Sequence, residues 1–512
     1  MKRITILFAL CTLVMLVHAK TIYVSTTGND VTGDGTKLNP YKTICRADTM
    51  VTANNDTVML APGTYPAAVT SKLKPYSQVI CGESAMNTVI DFTGLNIGLF
   101  MDQNEVTLTL KNLTLQNGGN TTDDGGGAVW MHALTSLVME NVIMTDNSAN
   151  RVGGAICFYG KKLDINKCFF SNNKVFDTGT GKWAYGGVMF IQGIDNNVNV
   201  SITNSTFANN TSDVFGGALT FWKVSGVDAD NVLIKNCIFY NNKALNTTHT
   251  WTGGAINLQS LPTAQINAKF INNTFYENFS GNGLTPTTLL AQGAKTYLTL
   301  VNNILTNSNS DGVTMFVLDG SAPLVTGKNN IVRSVNAEVT TTDFYTLMEN
   351  NNYLDPTSAM VTGAKFENSL TDNSTADIYK VPFLQTLSGS TTIDAGIGIY
   401  AAPNLVSTTD IRGATTVGTK DIGAFEFGGI FSALRNNFEM NDITVNVKNS
   451  VISIDSRTNQ MLTVNLYSLT GSLIKKSVST GNNIIINVIN SGTYLLSIVS
   501  NGNVFTKKIV VL

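Results

Sequence analysis

Along most of the chain, apolar and polar residues alternate at period two in short runs, and the phase of the alternation flips at intervals. Val200, Ile202, Asn204, Ser205 and Phe207 share one layout with Val232, Ile234, Asn236, Cys237 and Phe239. Leu298, Leu300, Asn302, Asn303 and Leu305 repeat it, as do Leu137, Met139, Asn141, Val142 and Met144. Alternation at period two predicts β-strands. The flip at each central Asn predicts a bend between two strands whose inner faces look at one core. Asn suits such a corner because it tolerates left-handed backbone and hydrogen-bonds its own neighbours. Corners stacked in register would also let Asn side chains form a ladder.

Two further phrases recur between the corners. Gly126-Gly127-Ala128 returns as Gly153-Gly154-Ala155, Gly186-Gly187-Val188, Gly216-Gly217-Ala218 and Gly253-Gly254-Ala255. Between these copies, Phe170, Phe207, Phe239 and Phe275 each stand three residues before an Asn. Taking the corners as 112, 141, 167 (a Lys), 204, 236, 272, 302 and 329, the spacings run from 26 to 37 residues. A repeat of this length, holding three short strands and loops of variable size, predicts one coil of a parallel β-solenoid. Cys168 and Cys237 fall at equivalent inward positions, so they are expected in one apolar stack. Helical repeats of similar period are disfavoured by the Val, Ile, Thr and Phe content of the strands and by frequent Gly and Asn.

Composition narrows the picture. Charged residues are 13% of the 512, Asn alone numbers 59 and the formal charge is −2. That balance excludes a generally basic nucleic-acid binder, whose affinity would rest on phosphate neutralisation. Lys2 and Arg3, an apolar run from Ile4 to Val17 and the small-residue site Val17-His18-Ala19 predict a signal peptide over residues 1–19. The run is shorter than the ~20 residues a spanning helix needs, and no later segment supplies a transmembrane helix. Cys45, Cys81, Cys157, Cys168 and Cys237 remain, a sparse set without metal-ligand spacing, and read as small apolar fillers.

Longer phrases carry resemblances. Tyr23-Val24-Ser25, Gly28-Asn29-Asp30, Asn39-Pro40-Tyr41-Lys42-Thr43-Ile44, Asp56-Thr57-Val58 and Ala61-Pro62-Gly63-Thr64-Tyr65 resemble the opening cap of secreted right-handed β-helix proteins of the pectin-lyase-like superfamily. Asp410-Ile411-Arg412-Gly413 through Asp421-Ile422-Gly423-Ala424-Phe425-Glu426 resembles the closing coil of bacterial surface members of that group. The Gly-Gly-Ala and Phe-x-x-Asn phrases also resemble the repeats of polymorphic outer-membrane adhesins. From about Asn441 the texture changes. Asn465-Leu466-Tyr467, Leu469-Thr470-Gly471, Gly492-Thr493-Tyr494 and Lys507 to Val511 resemble the C-terminal sorting domain of type IX secretion cargo, a small β-sandwich. The Asn-Pro phrase that usually opens that domain is missing between Phe438 and Val445. Charge shifts as well: residues 441–512 hold six Lys/Arg against two Asp, net +4, while 20–440 hold 25 against 33 acids, net −8. The chain is therefore read as all-β, a right-handed parallel β-helix (solenoid) over 20–428 including its N-terminal cap. A linker (429–440) and a C-terminal sorting β-sandwich (441–512) follow. The resemblance implies the type IX machinery as a partner and a secreted or outer cell-surface protein.

The superfamily's lyases and hydrolases imply calcium-binding carboxylates with a basic residue, or close acid and base carboxylates. Neither set assembles along this sequence, whose mature part has two histidines, His132 and His249. Asp30 and Asp34 in the Gly-rich opening offer a calcium site or, more simply, Asx-turn caps; Asp228 and Asp230 read as turn residues beside Gly226. No catalytic residue, metal ligand or cofactor is assigned. The long loops share one slot, between each Phe-x-x-Asn strand and the next Gly-Gly phrase. Stacking would gather Asp123, Asp124, Arg151, Asp177, Lys182, Trp183, Tyr185, Asp213, Phe215, His249 and Trp251 on one edge. Aromatics beside polar groups on a rigid rod suit sugar or protein recognition; corner packing is the plainer explanation. The expected function is binding of a glycan or another surface without catalysis. A polysaccharide lyase or glycoside hydrolase, or a purely structural envelope protein, are the alternatives.

Overall fold

A computed structural model describes residues 19–66, 72–96, 98–122, 125–178, 183–193, 197–225, 228–246, 252–281, 288–292, 295–306, 316–318, 324–332, 386–400 and 404–431. In the C-terminal part it describes 443–448, 451–456, 462–468, 473–479, 483–488, 492–500 and 503–511. The chain divides into two compact units, 1–429 and 430–512.

The first unit is a parallel β-helix. Each coil contributes to three stacks of parallel strands, described as 19-, 8- and 6-stranded sheets. The largest sheet holds two columns joined at the corner residues. One column runs through Lys162–Asn166, Asn199–Thr203, Asp230–Lys235 and Ile266–Ile271, and the other through Phe169–Ser171, Thr206–Ala208, Ile238–Tyr240 and Thr274–Tyr276. A coil therefore has four strand segments, not three. The extra one is a two- or three-residue piece just after the Phe-x-x-Asn phrase, such as Lys174–Phe176 or Thr211–Ser212. Such short pieces carry too few alternations to register as strands in the sequence.

All eight predicted corners, Asn112, Asn141, Lys167, Asn204, Asn236, Asn272, Asn302 and Asn329, have φ between 50° and 55°. A second left-handed corner follows each Phe, at Asn172, Asn209, Asn241 and Glu277. Inside the first bend, Phe170, Phe207, Phe239 and Phe275 stack at 4.7 Å between successive ring centroids, all buried. Ring spacing equals strand spacing because each ring sits one coil above the last. Beside them runs the Asn ladder, one residue beyond the second left-handed corner. Asn147, Asn173, Asn210 and Asn242 each donate from Nδ2 to Oδ1 of the Asn one coil on, ending at Asn278, over 2.9–3.0 Å. Every one of those oxygens also accepts the preceding rung's backbone N–H, at 3.0–3.2 Å. A shorter ladder, Asn273 to Asn303 to Asn330, follows the first corner. Cys168 and Cys237 do occupy equivalent buried positions in that column, which begins with Leu113 and Val142 but turns polar further on. Ser205 lies between them, its Oγ accepting the Cys168 N–H, and Asn273 comes next, accepting the Cys237 N–H. Among the described residues, none of the five cysteines forms a disulfide.

The Gly-Gly phrases mark where neighbouring coils approach most closely. A Cβ on Gly187 would lie 2.1 Å from the Gly217 carbonyl oxygen, and one on Gly217 2.1 Å from that of Gly254. The preceding Gly153, Gly186 and Gly216 are left-handed, which requires glycine independently.

The N-terminal phrases fold into a cap with one six-residue helix, Ile44–Thr49. Asp30 accepts from the Lys42 and Thr43 amides and the Thr43 hydroxyl at 2.7–3.0 Å. Asp34 accepts the Thr36 amide at 2.9 Å, so both carboxylates serve as turn caps. Asp56 ties Lys20, Thr52 and Ala53 together through their amides.

The segment carrying Asp410 to Glu426 is not a further coil. Residues 386–400 and 404–429 form a strap laid across the outside of the corners. Asn236, Asn272, Asn302 and Asn329 donate to strap carbonyls of Thr409, Asp421, Ile397 and Ala395 over 2.7–3.3 Å. Ile422 packs on Ile304 and Ile331, Phe425 on Ala208 and Ile238, and Val406 on Ile271 and Val301. Its charges face inward: Asp410, Asp421 and Glu426 are at most 1% exposed, with Lys420 3.3 Å from Glu426 and Arg412 2.6 Å from Asp410. Single-sequence patterning reads a strap and a coil alike, because both alternate small apolar residues with turn formers.

The second unit is a β-sandwich of two antiparallel sheets. Ile443–Lys448, Val451–Ser456 and Asn483–Asn487 form one; Leu473–Ser479, Leu462–Ser468, Gly492–Ser500 and Asn503–Val511 form the other. Ile452, Ile454, Leu462, Val464, Leu466, Ile484, Ile486, Leu496 and Ile498 are in its core. A first strand forms despite the missing Asn-Pro phrase.

Candidate functional site

Of the residues the sequence gathers on the loop edge, Asp123, Asp124, Lys182, His249 and Trp251 lie outside the described residues. The others do meet on adjacent coils. Backbone bridges link Val152 to Tyr185 and Tyr185 to Phe215. The Arg151 carbonyl accepts the Tyr185 N–H at 2.7 Å, and the Asp177 N–H donates to Asp213 Oδ2 at 2.9 Å. Asp213 also faces Lys174 at 3.8 Å. Trp183 is 42% exposed and lies flat on Phe215, centroids 5.4 Å apart. Tyr185 behaves differently. It is buried in a cluster with Val152, Val175, Phe190, Val214 and Phe215, and burial pushes its phenol up, with Arg151 opposing. Trp183 thus offers an open ring, while Tyr185 forms part of its support.

That support continues onto a face the sequence reading missed. In the 8-stranded sheet, Leu99, Val129, Ile156, Met189, Leu219 and Ile256 are in register and point to the core. The next residue of each strand points outward: Phe100, Trp130, Cys157, Phe190, Thr220 and Asn257. A second outward row holds Asp102, His132, Gln192, Trp222 and Gln259, with Tyr159 just beyond the end of its strand. The rings touch in sequence. Phe100 stacks on Trp130 at 4.4 Å, Trp130 meets His132 edge-on at 6.1 Å, and His132 meets Tyr159 at 5.6 Å. Tyr159 meets Phe190 at 6.0 Å, and Phe190 meets Trp222 at 6.2 Å. Trp222 and Tyr185 lie 5.0 Å apart, which joins this strip to the loop edge. Trp130, His132, Tyr159 and Trp222 are all half-exposed or partly so.

At one end, Asp102 Oδ1 lies 3.2 Å from His132 Nδ1, and Lys72 Nζ is 3.3 Å from Asp102 Oδ2. Burial acts to raise the Asp102 carboxyl, but the His132 and Lys72 hydrogen bonds outweigh it and hold it low. With Nδ1 turned to the carboxylate, His132 presents Nε2 on the ring's opposite side. A signal for this face was available: the third residue after each Gly-Gly phrase must point out once the second points in. Asp230, read as a turn residue, is structural. It is buried beside Lys223, 2.9 Å from its Nζ, and also accepts the Val198 amide. Among the described residues no group of three His, Cys, Asp or Glu side chains is arranged to hold a metal ion.

Two family models match parts of the chain. Residues 445–512 match the family described as secretion system C-terminal sorting domain. Residues 26–75 match the family described as protein of unknown function (DUF1565), a parallel β-helix family. No curated protein matches the chain. Among solved structures, a GH136 lacto-N-biosidase from Eubacterium ramulus is similar over 66% of this chain and 67% of its own, at 9% identity and a TM-score of 0.27. The chain is a parallel β-helix protein that carries a type IX sorting domain, which directs it to secretion and the cell surface. Among the described residues, no helix is long and apolar enough to cross a membrane.

Proposed function

We propose that this protein is a secreted or surface-displayed β-helix that holds a glycan against the aromatic strip and the adjoining loop edge, and that residues 1–19 are the leader that starts its export. The carrying observation is the unbroken ring-to-ring contact from Phe100 through Trp130, His132, Tyr159 and Phe190 to Trp222, ending near the open Trp183. Aromatic faces stack on the apolar faces of sugar rings, and one partly open ring on most coils gives a polymer successive places to rest. Arg151 supplies a charge that suits uronate carboxylates. Polar rims of Gln192, Gln259 and Asp102 supply partners for hydroxyl groups.

The test is affinity electrophoresis of the full chain through gels containing neutral or acidic polysaccharides. Trp130→Ala combined with Trp183→Ala should abolish retardation and leave circular dichroism unchanged. Unaltered retardation would refute the reading. A second reading, cleavage of the bound polymer, is favoured by the Asp102–His132 pair, which has the geometry of an oriented general base. Release of reducing or unsaturated ends by the wild type, lost in His132→Ala, would favour it over binding alone.

A further inference from the structure

The C-terminal sandwich has one strand that belongs to its sheet but not to its core. Leu473–Ser479 sits at the end of the four-stranded sheet and pairs with Leu462–Ser468, its one partner among the described residues. On that neighbour, Leu462, Val464 and Leu466 are buried. Their cross-strand partners are Ser479, Ser477 and Lys475, so the edge strand is polar where the core would need it apolar. Its apolar residues lie elsewhere: Leu473 is 54% exposed, Ile474 49% and Val478 55%. A register shift between Leu466 and Tyr467 accommodates Ile474 as an extra residue. The strand thus contributes almost nothing to the domain's own burial.

An edge strand with no second partner strand among the described residues, showing three large apolar side chains to water, is an aggregation hazard that proteins normally remove. A domain whose matched family is a secretion signal retains such a strand where a partner covers it. Lys475 and Lys476 lie in the middle of it, in a domain of net charge +4. We propose that Leu473–Ser479 is the surface by which the export machinery takes hold of this protein, adding an acidic β-strand of its own to the free edge. Main-chain hydrogen bonds supply the register, Leu473, Ile474 and Val478 the apolar contact, and the two lysines the choice of an acidic partner.

The experiment follows export of the full chain in a host with a type IX system, comparing periplasmic and surface pools. Two variants are made, L473S/I474S/V478S and K475E/K476E, and each is also purified to compare its melting with wild type. Either variant should cut the surface pool by about tenfold or more, the loss of contacts of hot-spot strength. Both lysines are exposed on their strand, so K475E/K476E decides the matter even where the apolar variant misfolds. Wild-type display of K475E/K476E overturns the acidic-strand proposal. Dimers of purified wild type that dissociate in the apolar variant overturn it in favour of a second copy of this chain. Deleting residues 441–512 serves as the control: display of the truncated chain would remove the sorting role itself, whereas its retention with normal display of both variants removes only this surface.

Discussion

The inner bends and the outer aromatic strip are built on the same coils from the same ring chemistry, and they obey opposite rules. At the bends, one position repeats from coil to coil: Phe170, Phe207, Phe239 and Phe275 lie within 2–10° of coplanar with their neighbours. On the strip, the residue changes from coil to coil. Asp102, His132, Gln192, Trp222 and Gln259 share one partly exposed row, with Tyr159 beside it, and the ring contacts are mostly edge-on. Repetition is what a stack needs for its own stability. Variety along a row is what shapes a surface for something else, because stability places no demand on it beyond covering the sheet.

Substitutions test this contrast. The largest effect is expected at the bend. Phe239→Ala removes a buried ring held between two others and should cost about 3–5 kcal/mol, read as a lower urea midpoint. A melting curve like wild type would make the stack dispensable and erase the distinction. Asn242→Leu comes next. It removes the acceptor of the Asn210 N–H and Nδ2 and leaves both buried, at about 1–3 kcal/mol for each unsatisfied group. Asn236→Val should cost about 1–2 kcal/mol for left-handed backbone and also loosen the strap, whose Thr409 carbonyl it anchors. Trp183→Ala, on the strip's margin, should change stability by at most about 0.5 kcal/mol while weakening polysaccharide retention. A stability loss there matching Phe239→Ala would show that the strip obeys the bend's rule.

The strap adds a test by pH. Burial raises the Asp421 carboxyl, against amide bonds from Phe427 and Asp394 and with help from the Glu426 and Asp394 charges, to about 6. Its ordinary value is 3.8, so the docked strap holds the proton more tightly than the unfolded chain. This group's contribution is full below the unfolded value and is lost as pH rises through about 6. In the cap, burial pushes Asp30 and Asp56 up, but hydrogen bonds outweigh it and lower both. Their contribution is present above the ordinary value and is lost on acidification. Hydrogen exchange, corrected for intrinsic rate, should find strap amides less protected at pH 7 than at pH 5, and cap amides weakened only in acid. The reverse order would contradict both assignments.

How far the sequence revealed the molecule follows from the same contrast. The corners and the Phe stack were legible because each rests on a residue type that recurs at fixed register, and the sorting domain because its phrases resemble those of its family. The existence of an Asn ladder was legible too: corner side chains bond from coil to coil at Asn141–Asn112 and Asn236–Asn204, but the continuous rungs, Asn147, Asn173, Asn210, Asn242 and Asn278, lie one beyond the second left-handed residue. The strap was misread as a coil because its partners, such as Asn302 for Ile397, stand 95 residues away and leave no local period. On the loop edge, Trp183 and Arg151 were put forward as candidates from loop position alone. Trp130, His132 and Asp102 were missed because nothing local distinguishes an outward ring on a strand from an inward one until the register is known.

The ladders also have a direction. Each rung accepts bonds from the coil before it and donates to the oxygen of the coil after it, from Asn147 up to Asn278 and again from Asn273 to Asn330. A partly wound solenoid therefore always ends in a rung with two unmet donors, its side-chain amide and its own main-chain N–H. The next coil arrives onto a template that is waiting for an acceptor, and in fixing its Asn it creates the next template. Winding proceeds as chain growth rather than collapse, with local contacts made in sequence order. For a chain synthesised from its N-terminus, the part made first is thereby the part already able to seed the rest.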